Sequence, residues 1–402
     1  MNELLYLIFF LTFAAYEISN LSMLAAEADI YCSREEKVSG SSAESLGKQC
    51  DGYAGGAFFF SMAMLVAGFA AASYKNQGVT RYVAFLAIMM FESLANGARY
   101  GGEAQSHCVK DGDDDATSIQ CQGYGGTSAF FIFSAVMFGI CAFFLGKGSV
   151  ENRFNFNVLG TFFGALICYF IGMVGAAATV ADLSCQNSNA SKELEVMCDG
   201  YGLAAFWGFL GVLIAAVYIF FSYKSPAPNT LWGGFFTIFG FFGLYYTTVY
   251  ATQADVFCNI QKDADPIDKQ CDGYSAGAFW CTLGLVWAFA CVFLAAKLTE
   301  NMKHISFFGV LGLIFLAFTS VYGGISADGC EVKGDDDTSG ARCDGYGFAA
   351  FAAICGVVGT IVGGFFSYKD STTSDGFSDD AVGYEEHDND NEDVQFGGFS
   401  KV

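Results

Sequence analysis

The chain is poor in the residues from which most active sites are built. It has 3 histidines, His107, His304 and His387, too few and too scattered to assemble a metal site on their own. It carries no phosphate-cradling glycine loop with a lysine, no His-Glu-x-x-His and no nucleophile elbow. These absences point away from an enzyme, and nothing asks for a cofactor or a metal. Basic residues are scarce as well. There are 19 Lys and Arg against 41 Asp and Glu, a net charge of −22, and without a basic patch nucleic-acid binding has no support. Only 3 prolines occur, and helices broken by Gly or Pro, which mark many transporter sites, are not evident. The stretch "MNELLYLIFFLTFAAYEISNLSMLAA" lacks a basic n-region and a small-residue cleavage signature, so it reads as a first membrane span. Cysteine is plentiful at 15, yet no two stand as Cys-x-x-Cys, the spacing of a redox pair.

Apolar surface is what the chain has in quantity. Hydrophobic residues make up 53%, 44 of the residues are Phe, and the charges are confined to short segments and the last thirty or so positions. Apolar runs of 18 or more residues read as membrane-spanning helices. A repeat organises them. The phrase "CDGY" or a close copy begins at Cys50, Cys121, Cys198, Cys271 and Cys343, 71 to 77 residues apart. Tyrosine follows at +3 (Tyr53, Tyr124, Tyr201, Tyr274, Tyr346), and a lysine ends each apolar run at +25 or +26 (Lys75, Lys147, Lys224, Lys297, Lys369). About 22 residues at 1.5 Å each give roughly 33 Å, the thickness of a bilayer's hydrocarbon core. A second cysteine precedes each copy: Cys32 by 18 residues, and Cys108, Cys185, Cys258 and Cys330 by 13.

The unit is therefore helix, short acidic loop bounded by two cysteines, helix. Five units occupy 1–77, 78–150, 151–226, 227–300 and 301–369, followed by an acidic tail over 370–402 that reads as disordered. The fold class is all-α, a polytopic membrane protein of ten spans, expected near 4–26, 54–74, 82–102, 124–146, 156–180, 201–222, 231–253, 274–296, 305–326 and 346–367. Paired loop cysteines imply an oxidising lumen or exterior, so both termini are placed in the cytoplasm of a plasma-membrane or endomembrane protein. Within the repeated phrase the expected roles are structural. The cysteine closes a disulfide, the aspartate caps the helix, the glycine turns the backbone and the tyrosine anchors at the headgroups. Gln122 in place of the acid fits a cap better than a catalytic group.

Glu17 and Glu92 fall near mid-depth of the first and third spans. An acid in lipid is costly and suggests an ion or proton site by default. Asn20 and Asn96 lie one turn on, and Arg99 two turns beyond Glu92; together Glu17, Glu92 and Arg99 form the candidate intramembrane polar site. The alternative is hydrogen bonding that fixes packing between the first two hairpins. Phe170, Gly243 and Phe315 take the comparable depth elsewhere. The remaining cysteines, Cys141, Cys168, Cys281, Cys291 and Cys355, read as packing residues, with Cys141 and Cys291 also placed for palmitoylation. The acidic runs Asp111–Asp115 and Asp335–Asp337 lack a full calcium-loop pattern and read as solvated loop. Asn189-Ala190-Ser191 is a glycosylation sequon in the third lumenal loop. The end of the tail, Phe399-Ser400-Lys401-Val402, has the form of a C-terminal PDZ ligand.

Aromatic-rich spans and cysteine pairs such as Cys32/Cys50 and Cys108/Cys121 in short lumenal loops give an architecture that resembles the MARVEL-like tetraspan proteins, the group of the synaptophysins. The resemblance implies cytoplasmic termini and a role in membrane organisation or vesicle traffic. The expected partners are the bilayer, cytoplasmic proteins recruited by the tail, and further copies of the chain in a homo-oligomer. The leading expectation is thus a non-enzymatic membrane organiser. Its rival is a transporter or channel that uses Glu17 and Glu92.

Overall fold

A computed structural model describes residues 3–73, 75, 79–109, 115–147, 156–186, 191–224, 228–260, 268–294, 297–331 and 337–375. They form ten long helices: α1 (Glu3–Glu35), α2 (Ser41–Ala72), α3 (Val79–Val109), α4 (Asp115–Lys147), α5 (Phe156–Gln186), α6 (Lys192–Lys224), α7 (Pro228–Asp255), α8 (Asp268–Leu294), α9 (Glu300–Glu331) and α10 (Asp337–Asp375). A π-helical turn, Val256–Ile260, continues α7. The sequon at Asn189, the acidic-run residues 111–114 and 335–336, and the tail with Phe399–Val402 lie outside the described residues.

Each helix packs on its neighbours in sequence, and α10 packs on α1. The ten helices therefore close into a ring. Five disulfides link them in pairs, Cys32–Cys50, Cys108–Cys121, Cys185–Cys198, Cys258–Cys271 and Cys330–Cys343, all at one end of the ring. Eight of the helices are long and apolar enough to cross a membrane; α3 and α7 are long enough but less apolar.

The two helices of a pair have different surroundings. The exposed large apolar side chains crowd onto the even-numbered helices, as with Phe58 and Phe69 on α2, Phe133 and Phe143 on α4, Phe206 and Phe220 on α6, Phe293 on α8 and Phe351 and Phe365 on α10. On the odd-numbered helices they are few, such as Leu11 and Met302. The odd helices form the inner wall and the even helices the outer one. An outer surface studded with phenylalanine is what hydrocarbon tolerates and water does not.

The repeated phrase lies inside helices, which corrects its expected roles. α2 begins at Ser41, well before Cys50, so Asp51 is no cap and Gly52 turns nothing. Four successive helical residues fan out over about 300°, and each has its own neighbour. The cysteine reaches its partner helix. Asp51, Gln122, Asp199, Asp272 and Asp344 are exposed on the outside. The glycine meets the next pair: a Cβ on Gly52 would stand 2.6 Å from Gly102 Cα, and one on Gly273 would stand 2.9 Å from Gly324 Cα. Gly123 and Gly200 abut Thr179 and Thr252, and Gly345 abuts Ala26, closing the ring with the same joint.

The tyrosine turns inward. Tyr53 and Tyr346 are buried and Tyr201 and Tyr274 face an internal chamber, so the headgroup-anchor reading is overturned. The cysteines lie within the helix ends rather than bounding the loop, and the helices outrun the expected spans. At 33 residues α1 is roughly 50 Å long, well beyond a hydrocarbon core of about 30 Å. Cys141 and Cys291 are buried, and the Cys141 thiol donates to the Val158 carbonyl at 3.3 Å. Packing, not palmitoylation, accounts for them.

Candidate functional site: a tyrosine-lined chamber

The small joints recur in register. Ala26, Gly102, Thr179, Thr252 and Gly324 each stand six residues before the first cysteine of their pair, and each receives the glycine of the preceding phrase. Four residues beyond that glycine comes a second small residue, Gly56, Thr127, Ala204, Gly277 or Ala349. This is the small-xxx-small pattern by which helix backbones approach closely in lipid. Gly56 faces the Ala95 carbonyl, Gly277 the Ala317 carbonyl, and the Ala349 carbonyl accepts from Ser19 at 2.8 Å.

The phrase's tyrosine bridges the same joint in three places. Tyr53 donates to Glu103 at 2.8 Å, Tyr346 to Glu27 at 2.5 Å, and the Gln253 amide donates to the Tyr201 hydroxyl at 2.6 Å. Glu27, Glu103 and Gln253 all stand five residues before their cysteine; Val180 and Ile325 take that place in the other pairs and offer no acceptor. These acids are half-buried at an interface and hydrogen-bonded, which keeps the cost of placing them there low.

The joints draw each pair tightly onto the next around the ring, while space remains along its axis. In the half nearer the disulfides lies a chamber of about 320 Å³. All five odd helices line it, with Tyr16, Asn20 and Met23 from α1, Glu92, Asn96 and Arg99 from α3, Tyr169 from α5, Tyr246, Tyr250 and Gln253 from α7, and Phe318 and Tyr322 from α9. Tyr201, Tyr274 and Tyr346 of the even helices complete its upper wall, so eight tyrosines face one space. Along α1 the lining runs from Tyr16 to Leu24, a height of about 12 Å. At liquid density, 320 Å³ would hold on the order of ten waters.

Beneath the chamber, toward the chain ends, phenylalanines from four inner helices meet across the axis. Ring centroids are 6.0 Å apart for Phe9 and Phe85, 5.8 Å for Phe9 and Phe307, 5.4 Å for Phe235 and Phe307, and 6.5 Å for Phe239 and Phe307. They form an apolar plug. A separate void of about 10 Å³, lined by Phe239, Phe242 and Ile314 among others, is apolar and holds at most a single water.

The sequence singled out Glu17, Glu92 and Arg99, and the structure separates them. Glu92 is on the chamber floor and accepts hydrogen bonds from Tyr169 at 2.9 Å and Tyr16 at 3.3 Å, both at Oε1. Arg99 faces the chamber higher up, its guanidinium 5.5 Å from the Tyr53 ring centroid and 5.2 Å from that of Tyr100, with Glu103 as its acidic neighbour. Glu17 does not line the chamber. It stands 15 residues before its cysteine and Glu92 stands 16, and that one-residue difference turns Glu17 about 100° into the wall.

At the wall position other pairs carry Phe170, packed on Gly211, and Phe315, packed on Gly356. Glu17 is fully buried, and neither of its oxygens has a hydrogen-bond partner among the described residues, although Glu92 is within electrostatic reach. Asn20 and Asn96 face the chamber and donate back to the carbonyls of Tyr16 and Glu92.

The chamber's tyrosines were not anticipated as a set. The signal was present: residues 16 before the first cysteine read Tyr16, Glu92 and Tyr169, the three groups that hydrogen-bond on the floor. Among the described residues no cluster of His, Cys, Asp or Glu is placed to hold a metal ion. Compared with known proteins, the chain matches no family model, no curated protein and no solved structure.

Proposed function

We propose that this is a ten-span membrane protein that binds or passes a small polar solute through the chamber, the transporter-or-channel alternative of the sequence reading. One observation carries it: a ring of ten helices whose outside is apolar encloses an interior lined by Glu92, Arg99, three amides and eight tyrosines. Polar groups inside a bilayer are expensive and are kept where they face a pathway or site. The same logic includes α3 and α7 among the spans. They are less apolar than the other eight and carry Glu92, Asn96, Arg99, Tyr246, Tyr250 and Gln253, which the ring shields from lipid.

The disulfide ends then face an oxidising lumen or exterior, with Glu3 of α1 and Asp375 of α10 at the cytoplasmic end. The membrane-organiser reading draws on the acidic tail and on the tetraspan resemblance. It does not need a polar interior.

The deciding measurement is solute uptake into sealed proteoliposomes with wild type and Glu92→Gln side by side. Uptake that falls by about tenfold or more in the variant supports a chamber function. Folded, disulfide-intact protein that neither moves nor binds any solute returns the protein to the organiser class.

A further inference from the structure

We propose that the chamber floor binds a small organic ammonium cation, seated between the Glu92 carboxylate and the rings of Tyr16, Tyr169, Tyr246 and Phe318. This rests on the solute-handling reading and names the class of solute.

Charge comes first. Glu92 opens onto the floor, with a second carboxyl, Glu17, behind it in the wall. The chamber's cation, Arg99, is engaged elsewhere: it lies over Tyr53 and Tyr100 and beside Glu103, and no ion pair joins it to Glu92. The floor therefore holds acid without a matching base. An anion would be drawn to Arg99, whose Nε has no hydrogen-bond partner among the described residues, and so away from the acidic floor.

Ring geometry comes second. Tyr16 and Tyr169 reach Glu92 from helices on either side of α3, and their hydroxyls hold one carboxylate oxygen. Tyr16 and Phe318 rings are 5.9 Å apart and Tyr246 and Phe318 6.1 Å, so the aromatic wall continues around the floor. Aromatic faces with one carboxylate suit a weakly hydrated alkylammonium group. A hard metal ion wants six or more oxygen ligands, and this floor offers a single carboxylate. The volume, about 320 Å³, is that of a small-molecule site.

The test uses the full chain in nanodiscs with radiolabelled choline, and 3,3-dimethylbutan-1-ol, its uncharged isostere, as competitor. The expected result is saturable choline binding, with the isostere weaker by about tenfold or more. Glu92→Gln should cost a similar factor, Tyr169→Phe should stay within about threefold, and Tyr169→Leu should lose far more, because the ring face and not the hydroxyl meets the cation. The wild-type comparison stands even if a variant fails to fold.

Equal binding of the isostere overturns the proposal. So does tighter binding of glycine betaine that is lost in Arg99→Gln, which would mark a zwitterion site. Uptake of some other solute that needs Glu92, with no choline bound, sinks the ammonium site but leaves the transport reading standing. No binding and no uptake of any solute sinks both.

Discussion

Gly345 has no room for a side chain: a Cβ there would run into Ala26 across the seam between α10 and α1. A Cβ on Gly202, four residues after Cys198, would meet nothing within 4 Å. The two glycines give a matched experiment. Gly345→Val should destabilise the protein by about 1–3 kcal/mol through overpacking at the seam, whereas Gly202→Ala should be neutral or slightly stabilising. Thermal unfolding followed by size-exclusion chromatography would read both, and equal melting temperatures would refute the seam's role. The joint tyrosines make a second pair. Tyr53→Phe and Tyr346→Phe each take one donor from a half-buried carboxylate, at about 0.5–1.5 kcal/mol. The same change at Tyr274, whose counterpart Ile325 offers no acceptor, removes no such hydrogen bond and should cost less.

At the scale of elements, much was written in the sequence. The spacing of Cys-Asp-Gly-Tyr identified five helix pairs and which cysteine meets which, because a fixed separation of 13 residues leaves few alternatives. What the spacing did not reveal was facing. An apolar helix in lipid has no polar side to mark its outside, so the tyrosine at +3 could be assigned to the headgroups when it points inward. Helix ends were misplaced for a related reason, since the helices continue past the bilayer where hydropathy stops reporting them. Glu92 and Arg99 were legible as intramembrane charges, but that Glu17 lies in the wall follows from a one-residue register that only packing makes meaningful. Each disulfide here closes a loop worth about 3 kcal/mol in the chain-entropy model. Cys330→Ser with Cys343→Ser should therefore lower the melting temperature markedly.

For the whole molecule, the plug and the chamber divide the axis into an apolar and a polar half. Phe307 touches Phe9 of α1 and both Phe235 and Phe239 of α7. Phe307→Ala should remove the plug's central contact and raise passive leak of small cations from proteoliposomes several-fold, with the melting temperature lowered by the cavity left behind. A leak unchanged in a folded variant would place the barrier elsewhere. The orientation has its own check: an epitope on the acidic tail should be protected from antibody in intact cells and become accessible after permeabilisation.

The seam has a consequence in time. Ser19 meets the Ala349 carbonyl and Glu27 meets Tyr346, contacts that span more than 300 residues. During synthesis α1 enters the membrane first and waits for the last pair before its joint is made, a long-range closure that is slow by nature. Until then Asn20, Glu92 and Arg99 face an open arc instead of a shared interior. A ribosome-bound chain stopped after α8 should thus be held by whatever membrane machinery shelters unpaired polar helices, and released only when α10 arrives to complete the circle.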